Sequence, residues 1–157
     1  MKKLGGSCNC KCCKNKRERI PEIPELSREA KAFIGRLQQY HFLAAAGFIM
    51  AKKDESDVRF TALAPVYLED GYEDMATVKA NALALKELEE KNIITIDYDI
   101  PLRGFDYEVY AASRVYKELK EAVAEGSQRP GFLCNTTEIE KGSVALTPYG
   151  AELLDYI

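Results

Sequence analysis

Two junctions between elements constrain this chain more than any other feature. Residues 83–97, LALKELEEKNIITID, pass from helical spacing almost directly into alternation. Residues 142–154, GSVALTPYGAELL, pass from alternation through Thr-Pro into a closing helix. Apolar residues three or four apart line one face of a helix, whereas alternation marks a half-buried strand. Val78, Leu85 and Leu88 share one face of a helix predicted from about 74 to 91. Ile94, Ile96, Tyr98 and Ile100 then alternate until Pro101 and Gly104 stop them. Asn92 suits the left-handed residue that closes a helix. Thr147 is a predicted N-cap, with Pro148 at the first helical position, where its missing N–H is not needed.

The remainder divides less cleanly. Ile20-Pro-Glu-Ile-Pro24 reads as an extended linker, because proline disfavours helix at the residue before it. Ser27 is a plausible cap for a long first helix reaching about Met50, since Ala30, Phe33, Ile34, Leu37, Tyr40 or His41, Ala44 and Phe48 recur at helical spacing. Residues 58–68, VRFTALAPVYL, read equally as one strand or as a short strand and a helix capped by Thr61. In that helix Pro65 fits only the first turn. Ala112, Val115, Tyr116, Leu119 and Val123 line a helix expected over 105–125, and a strand is expected over 139–146.

The 157 residues are predicted to form one main domain, 27–157, preceded by a cysteine-rich arm and linker, 1–26. At 46% apolar residues the chain can build a core. The longest apolar run is 42–50, well short of the roughly 20 residues of a membrane helix. The amino terminus carries lysines without an apolar stretch, so the expectation is a cytoplasmic protein with no secretory signal and no membrane partner. The net charge of −3 conceals an asymmetry. Residues 1–20 carry +6, and the rest of the chain carries −9. An acidic body is a poor general partner for nucleic acid.

Leu88-Glu89-Glu90-Lys91-Asn92-Ile93-Ile94 and Leu146-Thr147-Pro148-Tyr149-Gly150 resemble two motifs of winged helix-turn-helix regulators of the MarR and PadR kinds. The first corresponds to the end of a recognition helix, and the second to the wing strand entering a final helix. The resemblance covers about residues 27–100 and 139–157. It implies an α+β, mostly helical fold: a winged helix-turn-helix with a flexible N-terminal arm. The segment at about 101–138 then becomes a helical insertion in the wing. It also requires the helical alternative over 61–68.

The function implied is a dimeric DNA-binding transcriptional regulator. Thr77, near the helix start, would hold a phosphate, and Lys79, Asn81 and Lys86 would contact double-stranded DNA. Two features depart from that pattern. The wing is interrupted by a whole helix, and residues 59–99 hold four basic and nine acidic side chains. Leu83 lies where a basic residue is expected. The rival expectation is therefore a non-catalytic protein-interaction module in which this helix and the inserted one, with Phe105, Tyr107, Tyr110 and Tyr116, meet protein.

The arm holds Cys8, Cys10, Cys12 and Cys13 among lysines that favour thiolates. The pattern is not that of a zinc ribbon. Three of these thiolates and a ligand from elsewhere suit Zn(II) or Cu(I), which makes metal or thiol oxidation a candidate input. A metal-free tail with reduced thiols is the alternative. Cys134 is expected to be buried. His41 is the only histidine and reads as structural. No phosphate-binding loop, dinucleotide fingerprint or metalloprotease motif occurs, so no catalysis is expected. The acidic residues Glu69, Asp70, Glu73 and Asp74 lack the spacing of a calcium loop.

Overall fold

The computed structural model describes residues 22–157. Cys8, Cys10, Cys12 and Cys13 lie outside the described residues. Among the described residues five helices and four strands follow one another: α1 (Arg28–Tyr40), β1 (Phe42–Lys52), β2 (Glu55–Val66), α2 (Met75–Glu90), β3 (Ile94–Asp97), α3 (Glu108–Ala111), α4 (Arg114–Gly126), β4 (Thr136–Leu146) and α5 (Pro148–Leu154). The strands form one antiparallel sheet in the order β2-β1-β4-β3.

This architecture overturns the winged-helix expectation. The fold is α+β around a four-stranded sheet and is not mostly helical. The predicted first helix ends at Tyr40, because His41 turns the backbone to φ 65° while its N–H still caps Leu37 O. Residues 42–52 then form a strand. An Ala-rich apolar run satisfies the helical period and that of a strand buried on both faces, so periodicity alone does not separate them. Residues 61–68 do not form the helix that a helix-turn-helix needs, since β2 runs through Val66. Pro65 is accommodated there because it falls at the register shift between Ala46↔Val66 and Phe48↔Leu63, on a strand that is an edge of the sheet among the described residues.

β1 is the centre of the structure. Its residues alternate between two cores, as strand geometry requires. Leu43 and Ala45 join Phe33, Ile34 and Leu37 of α1, Leu85 and Leu88 of α2, Ile94, Val144 and Leu153. Ala44, Ala46 and Phe48 join Val66, Val78, Tyr107, Tyr110, Val115 and Tyr116 on the other side. The segment expected as a wing insertion therefore supplies the second helical layer. Its expected continuous helix is broken at Ser113, which is extended and fully buried. Ser113 Oγ donates to Tyr110 O and accepts the N–H of Tyr116, capping α4. Tyr107 and Tyr110 bury their rings and send their hydroxyls to Gly142 O and Ala44 O. A buried tyrosine needs such a partner.

The two junctions read from the sequence do occur, and they touch. α2 ends at Glu90, Asn92 is left-handed at φ 62°, and β3 begins at Ile94. β3 pairs with β4 from Ile94↔Leu146 to Asp97↔Ser143. Thr147 then fastens one junction to the other. Its N–H donates to Ile93 O at 3.0 Å, its hydroxyl donates to Asn92 O at 2.6 Å, and its Oγ1 accepts the N–H of Gly150 at 2.8 Å. Gly150 is required by contact, because a Cβ there would run into the carbonyl of Ile93. Leu-Thr-x-x-Gly thus has a structural explanation in this chain that involves no DNA.

These contacts make opposite predictions for two glycines. Gly150→Ala forces the helix away from Ile93 and should destabilise the chain by about 1–3 kcal/mol, the usual cost of overpacking. Gly35→Ala places a Cβ in open space on α1 and should stabilise it by about 0.5–1 kcal/mol. Urea unfolding of both variants measures the difference.

Candidate functional site

Two surfaces carry exposed groups that the cores do not use. The first is the outward side of α2. Val78, Ala82, Ala84, Leu85 and Leu88 are turned inward, which fixes the opposite side as solvent-facing. Thr77, Lys79 and Lys86 are exposed there, whereas Asn81 is half-buried. The four predicted DNA contacts thus share one helix, but not equally.

The helix start is already occupied by a carboxylate. Asp74 Oδ1 accepts the N–H of Thr77 at 2.9 Å. Hydrogen bonds from Thr77 hold the Asp74 carboxyl below its usual range. A phosphate would have to displace or repel this anion at the position where a free helix start would attract one. The other end of α2 carries Glu87, Glu89 and Glu90.

Leu83 stands in the middle of this side with 68% of its surface exposed. Ala76 and Ala80 lie on the same rows at helical spacing and are also exposed, so Leu83 projects from a smooth stripe. Lys79 and Lys86 flank it one turn away on either side. Lys79 also borders a groove of about 360 Å³ lined by Leu63, Met75, Val115, Glu118 and Leu119.

The second surface is an aromatic cleft of about 560 Å³ at the start of β1. Tyr40 and Phe42 flank the helix-to-strand turn and are 61% and 54% exposed. Phe42 continues the face of β1 that carries Ala44 and Ala46, but lies past the end of the core. Tyr67 and Glu69 reach the cleft after β2, and Leu102, Arg103 and Phe105 reach it from the loop after β3. That loop is held by the N–H of Leu102 donating to the Tyr107 hydroxyl at 2.6 Å. Phe105 packs on Tyr107 with ring centres 4.9 Å apart.

The charges of the cleft are unequally matched. Arg36 pairs with Glu69 at 3.3 Å and lies over the rings of Phe33 and Tyr67. Burial, and then the Glu69 charge, push the Tyr67 hydroxyl above its ordinary range. Arg103 is exposed and has no ion pair among the described residues.

Of the residues lining the cleft, Glu69 and Phe105 are picked out in the sequence by type and spacing, neither as part of a cleft. Tyr40, Phe42, Tyr67 and Arg103 come together only once residues 42–66 are a hairpin. Tyr107, Tyr110 and Tyr116 are core residues. His41 is exposed just past the end of α1 rather than within a longer helix, and Cys134 is buried, as expected. Among the described residues no group of three or more His, Cys, Asp or Glu is placed to hold a metal ion. Among the same residues no helix is long and apolar enough to cross a membrane.

No family model matches this chain, and no curated protein matches it. A solved structure, that of an uncharacterized protein from the hydrocarbon-degrading marine bacterium Alcanivorax borkumensis SK2, is similar at TM-score 0.47 and 13% identity. The match covers 85% of this chain and 88% of that one.

The joint between α1 and α2 generates a pH prediction. Glu87 accepts the N–H of Ser27 at 2.9 Å and meets Lys91 at 3.4 Å. The Ser27 hydrogen bonds, and then Lys91, hold its carboxyl below the usual range. A carboxyl with a lowered folded pKa stabilises the fold above its unfolded value and loses that contribution as pH falls through the folded one. Wild type should therefore lose stability on Glu87 below about pH 4.5, the unfolded value for glutamate. Glu87→Gln should be less stable at pH 7 and show a smaller loss on acidification. Thermal melts of both proteins from pH 7 to pH 3 check this.

Proposed function

We propose that this chain is a non-catalytic protein-interaction module that works through the outward side of α2, with a second copy of itself as its partner. The observation that carries this reading is Leu83, 68% exposed on the outward side of α2 and following the exposed Ala76 and Ala80 at helical spacing. Covering one leucine side chain is worth about 1.5–3 kcal/mol, and small neighbours let a second helix approach closely. Two copies of α2 laid antiparallel about Leu83 set Lys79 of each opposite Glu87 of the other, since both lie four residues from the centre. Such charge pairs fix register more than they add affinity.

DNA binding is less well supported. Neutralised phosphates supply most non-specific affinity for a duplex. Residues 59–99 carry an excess of five negative charges, and the start of α2 is closed by Asp74. The helix-turn-helix that would present α2 to a groove is replaced by β2. No catalytic step is assigned to any residue.

Sedimentation of the full chain tests the reading. Wild type should form a dimer, and Leu83→Glu should weaken it by at least about tenfold, the equivalent of 1.4 kcal/mol. A wild type that stays monomeric, or a dimer that Leu83→Glu leaves unchanged, contradicts the proposal. Salt-dependent binding to random duplex near about 50 mM salt, lost in a Lys79→Ala/Lys86→Ala variant, would restore the DNA reading.

A further inference from the structure

We infer that the cleft at the start of β1 binds a small amphipathic carboxylate: an apolar or aromatic group ending in a carboxyl. This goes beyond the contact proposed for α2 and uses none of its residues. The walls supply the apolar half of the requirement. Tyr40, Phe42 and Phe105 are all exposed, and Tyr67 lines the cleft beside them. Four aromatic side chains in a space of about 560 Å³ match the size and lining of sites that take small molecules.

The charges supply the other half. Glu69 is engaged by Arg36, whose guanidinium already covers the Tyr67 ring. A ligand cation would therefore find its aromatic face and its carboxylate both taken by an arginine. Arg103 has no ion pair among the described residues and lies on the rim beside Phe105. Arginine recognises a carboxylate with two parallel N–H donors, a geometry an ammonium cannot supply. Arg36 and Glu69 offset one another, Glu73 also acts on the Tyr67 hydroxyl, and Arg103 is the lining cation left for a ligand carboxylate. A ligand with an aromatic ring on the Phe42–Phe105 walls and a carboxylate on Arg103 satisfies both.

The chemistry fits a free acid or the carboxyl-terminal residue of a peptide, and the experiment separates the two. The 15N-labelled full chain is titrated with 3-phenylpropionate, with 3-phenylpropylamine, and with acetyl-Gly-Phe as free acid and as amide. The amide shifts of Phe42, Leu43, Leu102 and Phe105 are followed. Both acids should move these signals, and the amine and the peptide amide should bind at least about tenfold more weakly, the scale of one charge-assisted hydrogen bond. Arg103→Gln should weaken the acids by a similar factor, and Phe42→Ala should weaken every probe. Both residues are exposed, so an unchanged circular dichroism spectrum confirms that each variant still folds. Tighter binding by acetyl-Gly-Phe assigns the site to chain ends, and tighter binding by 3-phenylpropionate assigns it to free acids. Amine and acid binding equally, acids unaffected by Arg103→Gln, or no shift with any acid up to about 10 mM, a free energy of roughly −3 kcal/mol, overturns the inference.

Discussion

The burial of β1 on both faces is the constraint on which the rest of the structure depends. A strand packed on one side can be completed by a single helical layer, but β1 has two sides to cover. The first is covered by α1, α5 and the later part of α2, and the second by α3, α4 and the start of α2. Its small side chains matter here: Ala44, Ala45, Ala46 and Gly47 let both layers approach closely. At Gly47 the ring of Tyr98 fills the space a side chain would take. Burial, with Glu89 and Glu140 nearby, pushes that hydroxyl up to about 12. The strand also sets the chain's route. Leaving α1 through a left-handed His41, the chain runs as β1, turns back as β2 along one edge, and returns to the other edge as β4 only after α4.

The same strand explains what the sequence concealed. Where the hydrophobic pattern changes period, at Asn92 and at Thr147, local chemistry determines the outcome, and caps, proline and glycine are readable. Hence the α2–β3 and β4–α5 junctions were legible, down to the left-handed Asn92. Residues 42–50 contain no polar residue to declare a period, and alanine favours a helix when neighbours do not decide. Here the neighbours decide, because β2 and β4 satisfy the backbone of β1 on both edges. Reading those residues as helix removed the hairpin, and its removal made the segment over 101–138 look like an insertion in a wing. With the hairpin in place, that segment is the second layer of the domain.

The legibility of the surfaces follows the same division. Leu83 was conspicuous in the sequence because α2 was correctly placed, and its exposure follows from the burial of its neighbours. The aromatic cleft was illegible because its walls come from both ends of the β1–β2 hairpin and from the loop after β3. Tyr40 falls on the helical stripe and Phe42 does not, whereas the turn at His41 brings both to the same opening. The fold also changes what α2 can do. A helix laid along the side of a layered sheet presents a flat, lengthwise face, suited to another helix, and its amino-terminal end is closed by Asp74.

The central claim is that this lengthwise face, with Leu83 at its middle, joins two copies of the chain. The most direct measurement is an isotope-filtered NOE spectrum on a mixture of labelled and unlabelled full-length protein, which records only contacts between copies. Cross-peaks from the Leu83 methyl groups to Ala80 and Leu83 of the other copy are the result this account predicts. Contacts between copies that exclude α2, or none at a concentration well above that needed for association, would contradict it.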